Sequence, residues 1–155
     1  MPSAKNNAEP IHVLVAEDDP DDRLLLKDAW EEGRVANTLF FVENGEELMD
    51  YLYQRGAYTD PVRFPRPGLI LLDLNMPKKD GREALKEIKS APALRAIPVV
   101  VMTTSKAEED ILRTYDLGVN SFITKPAKFI PLIEVLKTLG KYWFEIVELP
   151  HAPKK

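Results

Sequence analysis

Five short apolar runs, each rich in β-branched or bulky aliphatic residues, constrain this chain more than any other feature. They are Ile11 to Ala16, Thr38 to Val42, Leu69 to Leu72, Ile97 to Met102 and Val119 to Thr124. Runs this short, with no alternation of polar residues, suit strands buried on both faces, as in a parallel sheet. Between them lie stretches whose apolar residues recur at helical spacing. Leu24, Leu25, Ala29 and Trp30 form the first, and Leu48, Met49, Leu52 and Tyr53 the second. Ala84, Leu85 and Ile88 follow, then Ile111, Leu112 and Tyr115, then Phe129, Ile130, Ile133, Leu136 and Leu139. The punctuation agrees. Asp19 before Pro20 offers an N-cap with proline at the first helical position, where its missing N–H costs nothing. Ser105 with Glu108 forms a capping box, and Asn44 with Glu47 resembles one. Gly33, Gly56, Gly118 and Gly140 stand where helices should stop. Strand and helix thus alternate five times. Right-handed crossovers turn that order into an α/β fold, a five-stranded doubly wound parallel sheet with five helices on its two faces.

At 155 residues the chain fits one domain. Residues 1–10 are expected to be a flexible N-terminus and residues 11–140 the folded unit. Residues 141–155 form a C-terminal extension too apolar, from Tyr142 to Leu149, for a solvated tail; it is expected to pack or to lie at an interface, as a helix or a strand. Pro61, Pro65 and Pro67 make Ala57 to Gly68 a long connection inside the domain. A formal net charge of −4 argues against nucleic-acid binding, which usually needs a basic face. No apolar run approaches the roughly 20 residues of a membrane span, and Met1 to Pro10 lacks the hydrophobic stretch of a secretory signal. A cytoplasmic location is the simplest expectation. The chain has no cysteine, which removes disulfides and thiolate chemistry. With His12 and His151 the only histidines, a metal site would use oxygen ligands.

In an open parallel sheet, ligands bind beyond the carboxyl ends of the strands, where strand order reverses. After the first run come Glu17, Asp18, Asp19, Asp21 and Asp22; after the third come Asp73, Leu74, Asn75, Met76 and Pro77. The fourth ends in Thr103, Thr104 and Ser105, and the fifth is followed by Lys125 and Pro126. Glu17, Asp18 and Asp73 brought together would repel one another unless a cation intervened. A hard divalent ion with oxygen ligands fits, and Mg²⁺ fits best because it uses few carboxylates and keeps waters for a phosphate. A carboxylate can accept a phosphoryl group as an acyl phosphate. Lys125 can then neutralise its oxygens, and the Thr103 hydroxyl can donate a hydrogen bond to one of them.

These residues also carry a resemblance. Val15-Ala16-Glu17-Asp18-Asp19-Pro20, Leu72-Asp73-Leu74-Asn75-Met76-Pro77 with Asp80-Gly81, the Thr103 step and Lys125-Pro126, at these separations, resemble a response-regulator receiver domain over about Ile11 to Gly140. The resemblance implies a flavodoxin-like strand order 2-1-3-4-5. It implies Asp73 as phosphoacceptor, and Mg²⁺ held by Asp18, Asp73 and the Asn75 backbone carbonyl, with Glu17 acting through water. Thr103 and Lys125 would contact the phosphoryl group, Phe122 would be the switch aromatic, and the peptide before Pro126 would be cis. Phosphorylation would draw the Thr103 hydroxyl inward and let the Phe122 ring follow, a two-state element biased by local charge. The altered surface would be that of the fourth helix, fifth strand and fifth helix. Ile111, Tyr115, Leu132, Leu136, Tyr142, Trp143 and Phe144 are its candidate homodimer residues.

The long Gly56 to Gly68 connection, the Thr103-Thr104-Ser105 turn and Leu139-Gly140-Lys141-Tyr142-Trp143 are further similar to stand-alone cyanobacterial phytochrome-associated regulators. That implies a sensor histidine kinase, a phytochrome, as phosphoryl donor, and no output domain after residue 140. The protein is then a signalling phosphoacceptor, not an enzyme. A phosphatase passing through an aspartyl phosphate usually carries a second aspartate two positions after the nucleophile. Here that position is Asn75, which cannot exchange a proton. A flavin carrier on the same sheet needs a phosphate-cradling loop after strand one, and Glu17 to Asp22 would repel the phosphate.

Overall fold

The computed structural model describes residues 11–74, 76, 80–103, 121–124, 126 and 128–146. Five strands, β1 (Val13–Ala16), β2 (Leu39–Val42), β3 (Leu69–Leu72), β4 (Val99–Thr103) and β5 (Ser121–Thr124), form one sheet. All four neighbouring pairs are parallel and the order is β2-β1-β3-β4-β5. Three helices follow β1, β2 and β3 respectively: α1 (Pro20–Glu32), α2 (Gly45–Leu52) and α3 (Gly81–Ser90). The last helix, Phe129–Gly140, follows β5. The expected doubly wound α/β architecture and strand order are both present. The expected fourth helix, with Ile111 and Tyr115, lies outside the described residues, as do residues 1–10 and 147–155.

The three inner strands β1, β3 and β4 are buried on both faces, and their side chains divide between two cores in the way a period of two requires. Leu14, Ala16, Ile70, Leu72, Val99 and Val101 join Leu48, Met49, Ala84, Leu85 and Ile88 of α2 and α3. Val13, Val15, Leu69, Leu71, Val100 and Met102 point the other way, against Leu26, Ala29 and Trp30 of α1 and Leu132, Ile133, Leu136 and Leu139 of the last helix. Among the described residues, helices therefore cover both faces of the sheet.

Helical spacing alone misplaces three side chains. Leu24, Tyr53 and Ile130 are 58%, 39% and 68% exposed, because the inward stripes run through Leu26, Ala29 and Trp30, through Leu48, Met49, Tyr51 and Leu52, and through Leu132, Ile133, Leu136 and Leu139. The α-helix ends at Gly140, as expected, but the winding does not. The chain winds on through a π-helical turn at Lys141–Ile146, which tucks Trp143 into the second core and leaves Tyr142 51% exposed. Among the candidate dimer residues, Leu132, Leu136 and Trp143 are thus core residues of the single chain, because that face of the last helix covers the sheet and α1. Leu136→Ala is accordingly expected to destabilise the fold itself by about 2–5 kcal/mol, as for a large-to-small core change. The measurement is urea unfolding at several protein concentrations. A midpoint unchanged from wild type would contradict it.

The long connection after α2 is packed down. Tyr51, Tyr58 and Phe64 form a ring cluster with centroids 5.0–5.9 Å apart, and the Tyr51 hydroxyl donates to the Pro65 carbonyl at 2.9 Å. Burial pushes the Tyr51 phenol far above its ordinary range and raises Tyr58 too. Both therefore stay neutral under physiological conditions. Lys89, half-buried at the end of α3, donates to the carbonyls of Arg95 and Ile97 at 3.2 and 3.0 Å, closing the loop into β4; burial lowers its pKa. No described helix is long and apolar enough to cross a membrane.

Candidate functional site

The parallel ladder carries one residue past the ends of β1 and β3. The Glu17 N–H donates to the Val42 carbonyl at 3.0 Å, and the Asp73 N–H donates to Ala16 at 3.1 Å. Both acids are thereby delivered at the carboxyl edge of the sheet, beside the β1/β3 junction where strand order reverses. One carboxylate oxygen each from Glu17, Asp18 and Asp73 lies within 4.8 Å of the others. Glu17 is buried at 5% exposure, while Asp18 and Asp73 are half-buried. A hollow lined by Val15, Ala16, Glu17, Asp22, Leu26, Leu71, Asp73 and Met102 opens at the same place.

The loop out of β1 separates these carboxylates from the neighbouring ones. Asp19 turns away to cap α1, its Oδ1 accepting from the N–H groups of Asp21 at 2.8 Å and Asp22 at 3.3 Å, with Pro20 at the first helical position. Asp21 and Asp22 occupy the first turn, where the helix dipole favours negative charge. So a run of acids that looks uniform in sequence divides: Glu17 and Asp18 converge on Asp73, Asp19 and Asp21 serve the helix start, and Asp22, in the first helical turn, also lines the hollow. The Glu17 carboxylate also accepts from the Asp19 N–H at 3.3 Å, which bends the loop back over β1.

Two contacts that sequence reasoning missed hold the site from outside. Arg23 Nη1 donates to the carbonyls of Glu17 and Asp18, both at 3.0 Å, and its Nη2 pairs with Glu43 Oε1 at 3.1 Å. The signal was present: helical side chains tilt toward the N-terminus, so an arginine in the second turn reaches the preceding loop. On the β3 side, Asp80 caps α3 by accepting from Arg82 and Glu83, and the Gly81 N–H donates to the Leu74 carbonyl at 3.0 Å. A Cβ on Gly81 would fall 2.5 Å from the Asp73 carbonyl oxygen and 2.7 Å from the Leu74 Cα. The start of α3 thus presses directly on the backbone that carries Asp73.

Three carboxylates this close cost about 3 kcal/mol per ionised pair at an effective dielectric near 20, before screening by solvent. The arrangement is adverse for a site meant to stay empty and suited to a hard divalent cation, which prefers oxygen ligands and tolerates a partly open shell. The donor set and its burial fit such an ion. Thr103 ends β4 and pairs in register with Thr124, the last residue of β5, so both strands reach this edge of the sheet, while Phe122 pairs with Val101 two residues earlier. The side chains of Thr103, Phe122 and Phe144, together with Asn75 and Lys125, lie outside the described residues. The Lys125–Pro126 peptide, expected to be cis, does so through Lys125.

A family model described as Response regulator receiver domain matches residues 13–137. Response regulator Rcp1 of Synechocystis sp. (strain ATCC 27184 / PCC 6803 / Kazusa) is 41% identical over 143 residues, covering 92% of this chain and 95% of that protein. The crystal structure of the phosphorylated cyanobacterial phytochrome response regulator RcpA superposes with a TM-score of 0.84 at 43% identity, covering 92% of this chain and all of that one. The Mn²⁺-bound form of Rcp1 gives a TM-score of 0.81 at 41% identity with the same coverage.

Proposed function

The chain belongs to the response-regulator receiver family, and on that premise we propose that it accepts a phosphoryl group from a sensor histidine kinase onto Asp73 in a Mg²⁺-dependent reaction. The observation that carries this reading is the meeting of Glu17, Asp18 and Asp73 within 4.8 Å at the switch point of the sheet. Asp18, Asp73 and the Asn75 carbonyl would hold the ion, with Glu17 acting through water. When bound, the ion offsets negative charge on the three carboxylates and on the incoming phosphoryl oxygens. The remaining work falls to the chain. The Asp73 carboxylate attacks phosphorus in line, and the bond from phosphorus to the donor's histidine nitrogen breaks as the Asp73 oxygen–phosphorus bond forms. Lys125 neutralises a phosphoryl oxygen, and the Thr103 hydroxyl donates to another; that hydrogen bond, with Phe122 following, biases the switch surface. The protein acts as a signalling phosphoacceptor in the cytoplasm rather than as an enzyme turning over a substrate.

The donor we propose is a phytochrome-type kinase, supported by the phytochrome response regulator among the similar structures. A homodimer would use the face carrying Tyr142, 51% exposed on the last turn, together with Ile111, Tyr115 and Phe144. Acetyl phosphate with Mg²⁺ is expected to add one phosphoryl group to the intact protein by mass spectrometry, and chelation with EDTA to prevent it. Equal labelling with and without EDTA would overturn the metal dependence, and no labelling from either acetyl phosphate or a cognate phospho-kinase would overturn the acceptor role. Sedimentation of the same protein with beryllofluoride and Mg²⁺ tests the dimer, which fails if the protein stays monomeric throughout.

A further inference from the structure

Arg23 is the cation that touches the acidic loop in the described structure, yet it has no part in ion ligation or phosphoryl contact as set out above. Its side chain is only 21% exposed. One guanidinium nitrogen donates to the carbonyls of two successive residues, Glu17 and Asp18, and the other pairs with Glu43 just beyond β2. Glu43 is itself tied down, its N–H donating to Glu47 Oε1 at 2.9 Å in the first turn of α2, a helix capped by Asn44. The fork therefore bridges the β1 loop to a helix start on the opposite face of the sheet.

We propose that Arg23 is a positioning residue for the divalent-cation site, setting the direction in which the Glu17 and Asp18 carboxylates enter it; this rests on the reading of Glu17, Asp18 and Asp73 as that site. The carbonyl and the side chain of a residue share one Cα. Holding two consecutive carbonyls from the same nitrogen fixes both peptide planes and with them both Cα–Cβ directions. A planar guanidinium with donors in a rigid fork can hold two carbonyls and a carboxylate at once; an ammonium, whose donors radiate from one nitrogen, cannot reproduce that span. Outer partners of this kind typically govern metal affinity by about 10- to 100-fold.

Positioning and bare charge predict opposite signs. A positive group beside a cation site weakens binding, so its loss through charge alone would tighten it. Arg23→Gln is instead expected to weaken Mn²⁺ affinity about tenfold, read as free Mn²⁺ by electron paramagnetic resonance on the full chain. Arg23→Lys, which keeps the repulsive charge and loses the fork, is expected to weaken it at least as much. Leu136→Ala, destabilised away from the site, serves as the control and should leave the affinity of the folded protein unmoved. Affinity equal to or tighter than wild type in Arg23→Gln overturns the positioning role, as does a loss matched by the control. Should Arg23→Gln fail to fold, Arg23→Lys decides alone, and wild-type affinity there overturns the proposal. If wild type itself binds no Mn²⁺, or Asp73→Asn binds it as tightly as wild type, the reading of the acidic cluster fails and this inference with it. Loss in Asp73→Asn beside unchanged binding in both Arg23 variants sinks only the role of Arg23.

Discussion

Asp73→Asn is expected to abolish phosphoryl incorporation from acetyl phosphate and from a cognate kinase, and to raise the melting temperature in metal-free buffer. The first effect follows from chemistry, since a carboxamide is too poor a nucleophile to form the acyl phosphate. The second follows from electrostatics. Glu17, Asp18 and Asp73 offer oxygens within 4.8 Å of one another, and removing one charge relieves two repulsive pairs. A gain of about 1–2 kcal/mol is expected after screening, which for a chain of this size corresponds to roughly 2–8 °C. Added Mg²⁺ should stabilise the wild type and leave Asp73→Asn nearly unaffected, because only a site that binds the ion in the folded state gains from it. Label retained by the variant, or a melting temperature below wild type without metal, would count against the assignment. The two readouts separate nucleophile from ligand: a variant that loses label but still responds fully to Mg²⁺ would place the ion elsewhere.

Gly81→Val should be as damaging, although residue 81 carries no charge and touches no ligand. A Cβ there meets the Asp73 carbonyl oxygen at 2.5 Å and the Leu74 Cα at 2.7 Å, and both obstacles are backbone. Nothing in that contact can yield by rotating a side chain. Either α3 lifts from the sheet, exposing Ala84, Leu85 and Ile88, or the loop carrying Asp73 is pushed off the Ala16 carbonyl. Overpacking of this kind costs about 1–3 kcal/mol, and the branched side chain adds to the crowding. Guanidinium unfolding should show that loss. Phosphorylation by acetyl phosphate should fall well beyond what the unfolded fraction explains, because a displacement of roughly 1 Å at a reacting group can cost 100-fold. Near-normal labelling together with reduced stability would mean that helix displacement alone absorbs the clash.

The fold was legible because its signals are local and redundant. β1, β3 and β4 are continuous apolar runs, and a strand covered on both faces needs that pattern. Asp19 and Asn44 both cap helices with their side chains, as short polar residues at those positions do. The choice between helix and strand for the segment after Gly140 was not legible: Leu139, Tyr142, Trp143 and Ile146 keep helical spacing, but a short apolar run also suits a strand until the second core offers Trp143 a place to bury. Three of the dimer candidates, Leu132, Leu136 and Trp143, fall in the chain's own core for a related reason. Leu132 and Leu136 are apolar whether they face a partner or their own sheet, and periodicity does not say which neighbour covers a stripe.

At the site the division is sharper. That Glu17, Asp18 and Asp73 should meet follows from strand order and from the rule that parallel sheets collect their ligands at carboxyl ends, both of which a linear pattern of apolar runs can carry. Which acids of the run from Glu17 to Asp22 converge, and which cap the helix, depends on the φ and ψ angles of one loop, and only the folded chain decides them. Arg23 bridging to Glu43 and Gly81 pressing on Asp73 belong to the same class. They join segments far apart in sequence or fill a gap less than one methyl group wide, and contacts of that kind exist only once packing has set the distances.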